Sequence, residues 1–251
     1  MSTALLLSPH LDDVVFSCGG LAAHLVDGGW RVVMATAFTR TVHPATGFAL
    51  ACQLDKGLSP DVDYMALRRD EDCEAASVLG IEPRWLDLPE APHRGYGSAP
   101  ALFGPVRDGD EAWRDLADLL RPLLDELRPD LVAVPQGLGD HVDHRQVIRA
   151  ALAVCDPGAL LFYRDTPYVI RNPGARAAPG VPGGPARTVP LDGVLDRKLD
   201  AACAYASQVG FQFGGPGPLR DALAALAARE GGERFVGTKL PPLPGHDVAT
   251  K

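Results

Sequence analysis

The sequence predicts an α/β fold, a Rossmann-like, doubly wound and mostly parallel sheet with helices on both faces. Three observations carry this expectation. Short runs that are apolar on both faces, such as Leu131–Pro135, alternate with longer stretches whose apolar residues recur at helical spacing. The order reads βαβαβαβαβ, which right-handed crossovers wind into a parallel sheet. A chain of 251 residues is long enough to build one large core.

In chain order, strands are expected at Ala4–Leu7, Arg31–Ala37, Arg84–Leu88, Leu131–Pro135 and Ala159–Tyr163. Helices are expected at Val14–Asp27, Tyr64–Leu79, Glu111–Leu127 and His144–Cys155, then near Leu195–Ser207 and Leu219–Glu230. Two stretches interrupt this rhythm. Thr39–Val62 is long for a βα connection, and Asn172–Arg187 (NPGARAAPGVPGGPAR) holds too much Pro and Gly for a stable helix or strand. The second is expected to be a cover over the mouth of a site or a surface insertion without a packing duty. One domain is expected over 1–251. The part beyond about 190 reads as a C-terminal extension, because its helices look too few to carry a core.

Composition narrows the function. Apolar residues make up 46% and aromatic residues 6%. The longest apolar runs fall far short of the ~20 residues that cross a bilayer, so no membrane span is expected. The N-terminus lacks the basic start, apolar stretch and small-residue cleavage site of a signal peptide. The five cysteines are scattered and never spaced C-x-x-C, as expected of reduced thiols in a cytoplasmic protein. A net charge of −8 without a basic stripe argues against nucleic acid. The expected partner is a small molecule, and self-association stays open.

Two segments carry chemistry. The first strand runs into Ser8-Pro9-His10-Leu11-Asp12-Asp13, and Leu131–Pro135 runs into Gln136-Gly137-Leu138-Gly139-Asp140-His141-Val142-Asp143-His144-Arg145. Each puts histidine and carboxylate at the C-terminal end of a strand, where open α/β sheets bind ligands. An Asp at such a place is also a good helix N-cap, and that role is compatible with chemistry. His141 and His144 are three apart, so a helical turn places both on one face. His24, His43, His93 and His246 lack such company and read as surface residues.

Two imidazoles and one carboxylate around an open position suit a catalytic zinc, whose fourth ligand is water. Coordination lowers the pKa of that water to about 7. A further carboxylate can take its proton, and a further imidazole can stabilise the developing oxyanion. The two segments offer three ligands with one carboxylate and one imidazole left over.

SPHLDD and HVDHR together resemble the PIG-L/LmbE family of zinc de-N-acetylases, whose usual forms are (A/S)HPDDE and HPDHR. That family includes the deacetylase of glycosylphosphatidylinositol synthesis, the mycothiol deacetylase and amidase, and antibiotic-tailoring deacylases. The resemblance continues through Arg68-x-x-Glu71, Tyr163-Arg-Asp-Thr-Pro-Tyr168, Lys198 to Tyr205-Ala-Ser-Gln208, and Gly232-Glu-Arg-Phe235. It implies Zn²⁺ held by His10, Asp13 and His144, and Asp12 as general base. It also implies His141 at the oxyanion or the leaving amine, oriented by Asp143. Arg68 is a candidate substrate contact by family position. Arg94 is another, because it follows a predicted strand end. Leu11, Val14 and Val142 depart from the usual Pro, Glu and Pro without removing a ligand, which marks a subgroup.

The implied activity is hydrolysis of an N-acyl group, expected to be acetyl, from an amino sugar or glycosylated small molecule in natural-product or thiol-cofactor metabolism. The alternatives are an amidase of mycothiol-type conjugates and a non-catalytic metal-binding protein. A nucleotide-binding Rossmann protein needs a Gly-rich turn after the first strand. Here Gly19-Gly20 fall later, inside the expected helix, and Asp12 and Asp13 would repel a pyrophosphate.

Overall fold

The strand β1 (Thr3–Ser8) is buried along its whole length and lies between β2 (Arg31–Thr36) and β4 (Leu131–Pro135), parallel to both. β3 (Glu82–Trp85) extends the sheet beyond β2, and β5 (Leu160–Tyr163) extends it beyond β4, again in parallel. The computed structural model describes residues 1–238 and 240–243, so the expectation for His246 lies outside the described residues. The expected doubly wound α/β architecture is present. Spatial order β3-β2-β1-β4-β5 places the switch point, where the winding reverses, between β1 and β4.

Alternate residues of these strands enter different cores, as the period of two requires. Leu6, Met34, Ala133 and Tyr163 pack with α1 (Asp13–Asp27) and α3 (Tyr64–Leu79) on one face. Leu7, Val33, Val134 and Phe162 pack on the other with α5 (Ala112–Leu127) and α6 (Val142–Val154). In α5 the buried set is Ala112, Leu116, Ala117, Leu120 and Leu127, an apolar stripe at the helical period.

Several elements differ from the sequence expectation. β3 occupies Glu82–Trp85 rather than Arg84–Leu88. It is an edge strand, which is why Pro83 is tolerated within it. The long 39–62 connection contains α2 (Gly47–Leu54). A four-residue helix, α4 (Ala99–Leu102), lies in the connection that follows β3. The helix expected near Leu195–Ser207 divides into α8 (Leu195–Cys203) and α9 (Ala206–Phe213), and the one expected near Leu219–Glu230 is α10 (Pro216–Glu230). Leu199, Val209, Leu219 and Leu223 of these helices join the same core as α1 and α3. This stretch also completes the sheet: β7 (Glu233–Gly237) pairs antiparallel with β5, and β6 (Arg187–Val189) with β7.

The 172–187 segment follows the short α7 (Tyr168–Arg171) and has a packing duty. Ala178 is buried, its N–H donates to Gln136 O at 2.8 Å, and Val181 packs on the second core. Its course runs along the end of β4 and none of its residues lines the main cavity, which corrects the expectation of a cover. His24 is likewise no surface residue: it is buried, with Nε2 2.9 Å from Pro190 O.

Buried charge ties the C-terminal helices to the front of the sheet. Glu71 of α3 accepts from the N–H and hydroxyl of Ser207, both at 2.7 Å. Asp72 accepts from the Tyr205 hydroxyl at 2.7 Å. Glu233 of β7 reaches a kink in α1, where Cys18 leaves helical geometry. It accepts from Gly20 N and Leu21 N, each at 2.8 Å, and from Lys198 Nζ at 2.7 Å. A Cβ on Gly20 would lie 2.1 Å from Leu191 Cδ2 and 3.0 Å from Glu233 Oε1, so glycine leaves the room this approach uses.

Candidate active site

The loops after β1 and β4 emerge side by side at the switch point. Ser8 Oγ shapes the first by donating to His10 O at 2.6 Å and accepting from Val14 N at 3.2 Å. The His10 N–H donates to Asp13 Oδ2 at 2.8 Å, which fixes that carboxylate at the start of α1. In the second loop, Gly137 and Gly139 adopt positive φ, and the turn delivers His141 to the N-cap of α6.

Asp13 lies between two imidazoles. Its Oδ2 is 3.1 Å from His10 Nδ1 and 3.3 Å from His144 Nε2. The opposite nitrogen of each ring is held by another carboxylate: His10 Nε2 meets Asp143 Oδ2 at 3.0 Å, and His144 Nδ1 meets Asp165 Oδ1 at 2.6 Å. Carboxylate-backed imidazoles of this kind are the usual support of metal-ligating histidine. His144 Nε2 is buried and faces Asp13 Oδ2 at 3.3 Å without forming a well-aligned hydrogen bond among the described residues. Such an atom costs free energy unless something coordinates it. The donor set therefore fits a divalent cation. His10, His141 and His144 also bring ligand atoms within 4.8 Å of one another. The Asp13 oxygen lies within 3.3 Å of both the His10 and the His144 rings and could share a cation with them.

Charge follows this geometry. Burial opposes protonation of His144, but Asp13 and Asp165 outweigh it and hold its pKa up to about 9. Burial also favours the neutral form of Asp13; the His144 and His10 rings reverse that and hold its carboxyl far below the usual range. Asp12 behaves oppositely. Burial and the adjacent Asp13 carboxylate raise it to about 7 against the pull of Arg68. His141 is pushed down to about 3 by burial and by His10, so its ring is neutral. Its Nδ1 accepts from the Asp143 N–H at 3.2 Å. The ring proton therefore sits on Nε2, which can donate.

The sequence reading has Asp143 orient His141. The contact between them is the Asp143 N–H on the His141 ring, while the Asp143 carboxylate holds His10 and Arg94. Arg94 itself is placed differently from the expectation of a substrate contact. Its guanidinium bonds Asp110, Pro89 O and Asp143, and it does not line the cavity. Arg68 does line it, yet the side chain is 4% exposed. Its Nη1 donates to Glu90 at 2.7 Å and its Nη2 to Leu11 O at 3.1 Å, with Asp12 at 3.6 Å. Both arginines thus hold site carboxylates in place. Gln212 of α9 adds a donor to Asp12 at 2.9 Å.

These groups face a cavity of about 260 Å³, whose wall also includes His43, His93, Phe103, Tyr168 and Phe211. Asp165, Phe103 and Gln212 were not singled out by sequence reasoning. The one available signal was the Tyr163–Tyr168 segment, which contains Asp165.

A doubly wound sheet with an acid beside a histidine–carboxylate cluster in a cavity at its switch point has the make-up of an enzyme active site. Comparison with known proteins identifies which kind: residues 5–155 match the GlcNAc-PI de-N-acetylase (PIG-L) family, and the chain belongs to that family. It is 31% identical over 213 residues to the 2′-N-acetylparomamine deacetylase of Streptomyces fradiae, covering 81% of this chain and 72% of that enzyme. It is 28% identical over 191 residues to the Niallia circulans enzyme of the same name, covering 65% of this chain and 66% of its relative, just under two thirds. The zinc-inhibited form of teicoplanin deacetylase superposes with a TM-score of 0.79 at 26% identity, covering 93% of this chain and 97% of that one. Among the described residues no helix is long and apolar enough to cross a membrane.

Proposed function

We propose that this enzyme removes an acetyl group from the nitrogen of an amino sugar carried on a small natural product, with zinc held by His10, Asp13 and His144. The observation that carries the reading is the convergence of two carboxylate-backed imidazoles on Asp13, with Asp12 free of that convergence and facing the same cavity. The relatives that act on 2′-N-acetylparomamine and on teicoplanin support the substrate class.

A divalent cation bound there supplies Lewis-acid polarisation of the amide and acidifies water. The remaining work falls to side chains. Asp12, whose raised pKa suits a base working near neutrality, takes the proton of the attacking water and passes it to the departing nitrogen. Neutral His141 offers its Nε2–H to the acyl oxygen as negative charge gathers there. Asp143 and Asp165 hold the two ligand rings, and Arg94 holds Asp143.

The test is primary-amine release from a panel of N-acetylated amino sugars, with and without chelator. Zinc-restored release from at least one aminoglycoside-type substrate is expected. No release from any acetylated sugar by metal-loaded protein would overturn the reading.

A further inference from the structure

The chain has five tyrosines, and four of their hydroxyls are hydrogen-bonded inside the protein. Tyr64 accepts from Gln208 at 2.9 Å, Tyr96 donates to Asp110 at 2.8 Å, Tyr163 to Leu7 O at 2.8 Å and Tyr205 to Asp72 at 2.7 Å. Tyr168 is the exception. Its hydroxyl has no partner among the described residues, and the side chain lines the catalytic cavity. A phenol that reaches a largely enclosed site without an internal partner is a donor held for something that enters it.

Its surroundings say what that something is. The Tyr168 ring stands edge-on to His144, with centroids 5.3 Å apart, and meets Phe103 at 5.9 Å. Phe103 in turn meets His141 at 5.3 Å, and His141 lies 5.5 Å from His144. The four rings close a circuit in which Tyr168 and His141 stand opposite each other across one corner of the cavity. The ligand His144 forms one side of that corner and Phe103 the other. The loop after β4 is built to admit this placement. Gly139 has φ 92°, and a Cβ there would lie 2.6 Å from Cγ and Cδ1 of Tyr168. The ring occupies the volume that any other residue at 139 would claim.

We propose that the Tyr168 hydroxyl is a second hydrogen-bond donor, beside His141 Nε2–H, to the acyl oxygen of the substrate amide. The inference rests on the de-N-acetylase reading above and adds a catalytic residue to it. In the step concerned, the water oxygen bonds to the carbonyl carbon and the π pair moves onto the acyl oxygen. The C–N bond then breaks, and its electron pair stays on nitrogen, which receives the proton Asp12 took from the water. Tyr168 keeps its own proton throughout; its hydrogen bond strengthens as charge builds and relaxes when the product carbonyl reforms.

Tyr168→Phe retains the ring against Gly139, His144 and Phe103 and removes only the hydroxyl. Because that oxygen satisfies no protein group, Tm and zinc content should match wild type, whereas Tyr205→Phe should lower Tm by orphaning a buried partner. On a substrate found by amine release, kcat should fall about 100-fold, the usual loss for one oxyanion donor, with little change in KM. A methylphosphonamidate analogue of the same sugar imitates the tetrahedral oxygens and should bind the variant about 100-fold more weakly than wild type. Unchanged kcat, a rise in KM alone, or equal affinity for the analogue overturns the assignment. An active wild type beside a fully active Tyr168→Phe sinks this inference and leaves the proposed function standing. Absence of turnover by wild type sinks the proposed function and this inference with it.

Discussion

Arg94 and Asp143 meet at 2.6 Å beneath the cavity, and the second oxygen of that carboxylate lies 3.0 Å from His10 Nε2. The pair forms a relay from the connection after β3, through α6, to a ring on the loop after β1. Arg94→Gln removes the charge that keeps Asp143 ionised and aimed. Zinc affinity should fall about 10- to 100-fold, the usual cost of losing such support, as measured by competition with a chromogenic chelator. Wild-type affinity in the variant would mean that His10 is oriented without the relay.

Removing a ligand is a harsher test. His10→Ala, Asp13→Ala and His144→Ala should each strip most of the roughly one zinc per chain expected for a His₂Asp site, read by emission spectroscopy. If all three keep full occupancy, the donor set is wrong. The same donors accept other divalent ions, so cobalt or nickel should restore some turnover to chelated wild type.

Asp12→Asn separates base from ligand. It should keep its zinc and lose at least ~100-fold in kcat, the scale of a general-base effect. The sign of the pH dependence follows from its raised pKa. Asp12 accepts a proton only when ionised, so wild-type rate rises with pH through that pKa, and the variant should lack this acid limb. In chelated protein the same shift opposes stability, because a buried carboxylate prefers its proton. The penalty is absent below the unfolded value, grows as pH rises, and is complete above about 7. Chelated Asp12→Asn should therefore melt higher than chelated wild type at pH 8, with the gap closing near pH 4. A gap of the opposite sign would show that Arg68 and Gln212 outweigh burial.

The 172–187 segment should matter to stability more than to catalysis. Ala178 is buried, and its Cβ lies 2.8 Å from where a Cβ on Gly137 would stand. Ala178→Leu should overpack this contact by about 1–3 kcal/mol, lowering Tm by several degrees, since about 2–4 °C accompanies each kcal/mol in a chain of this size. KM for an acetylated sugar should stay unchanged; a large rise in KM without a loss of Tm would return the segment to the mouth of the site.

Legibility in the sequence followed local pattern. β1, β2, β4 and β5 were readable because each is an apolar run ended by a turn or helix signal. His10, Asp12, Asp13, His141, Asp143 and His144 were readable because each half of the site is contiguous in sequence. β6 and β7 were not. Arg187-Thr-Val189 and Glu233-Arg-Phe-Val-Gly237 are short, charged segments whose strand character comes from pairing, β7 with β5 and β6, and β6 with β7 at the sheet edge. Nor was the break between α8 and α9 marked, since no Gly or Pro stands at Ala204-Tyr205. Asp165 reaches His144 only through tertiary contact. The two arginines show the same limit from the other side: proximity to the site was legible, whereas the carboxylates that claim them come from other elements.

The clasp of Glu233 on α1 gives the site an order of assembly during synthesis. The helix that begins at Asp13 is gripped at Gly20 and Leu21 by a carboxylate added more than two hundred residues later. A nascent chain on the ribosome therefore carries both metal loops while the brace for one of them is still untranslated. Until β7 inserts beside β5, the kink at Cys18 lacks the carboxylate that accepts from those two N–H groups, and the helix behind His10–Asp13 has one brace fewer. Zinc acquired early would bind a looser loop. Tight retention is thus coupled to completion of the sheet, and a chain cut short before residue 233 would be a poor competitor for the metal.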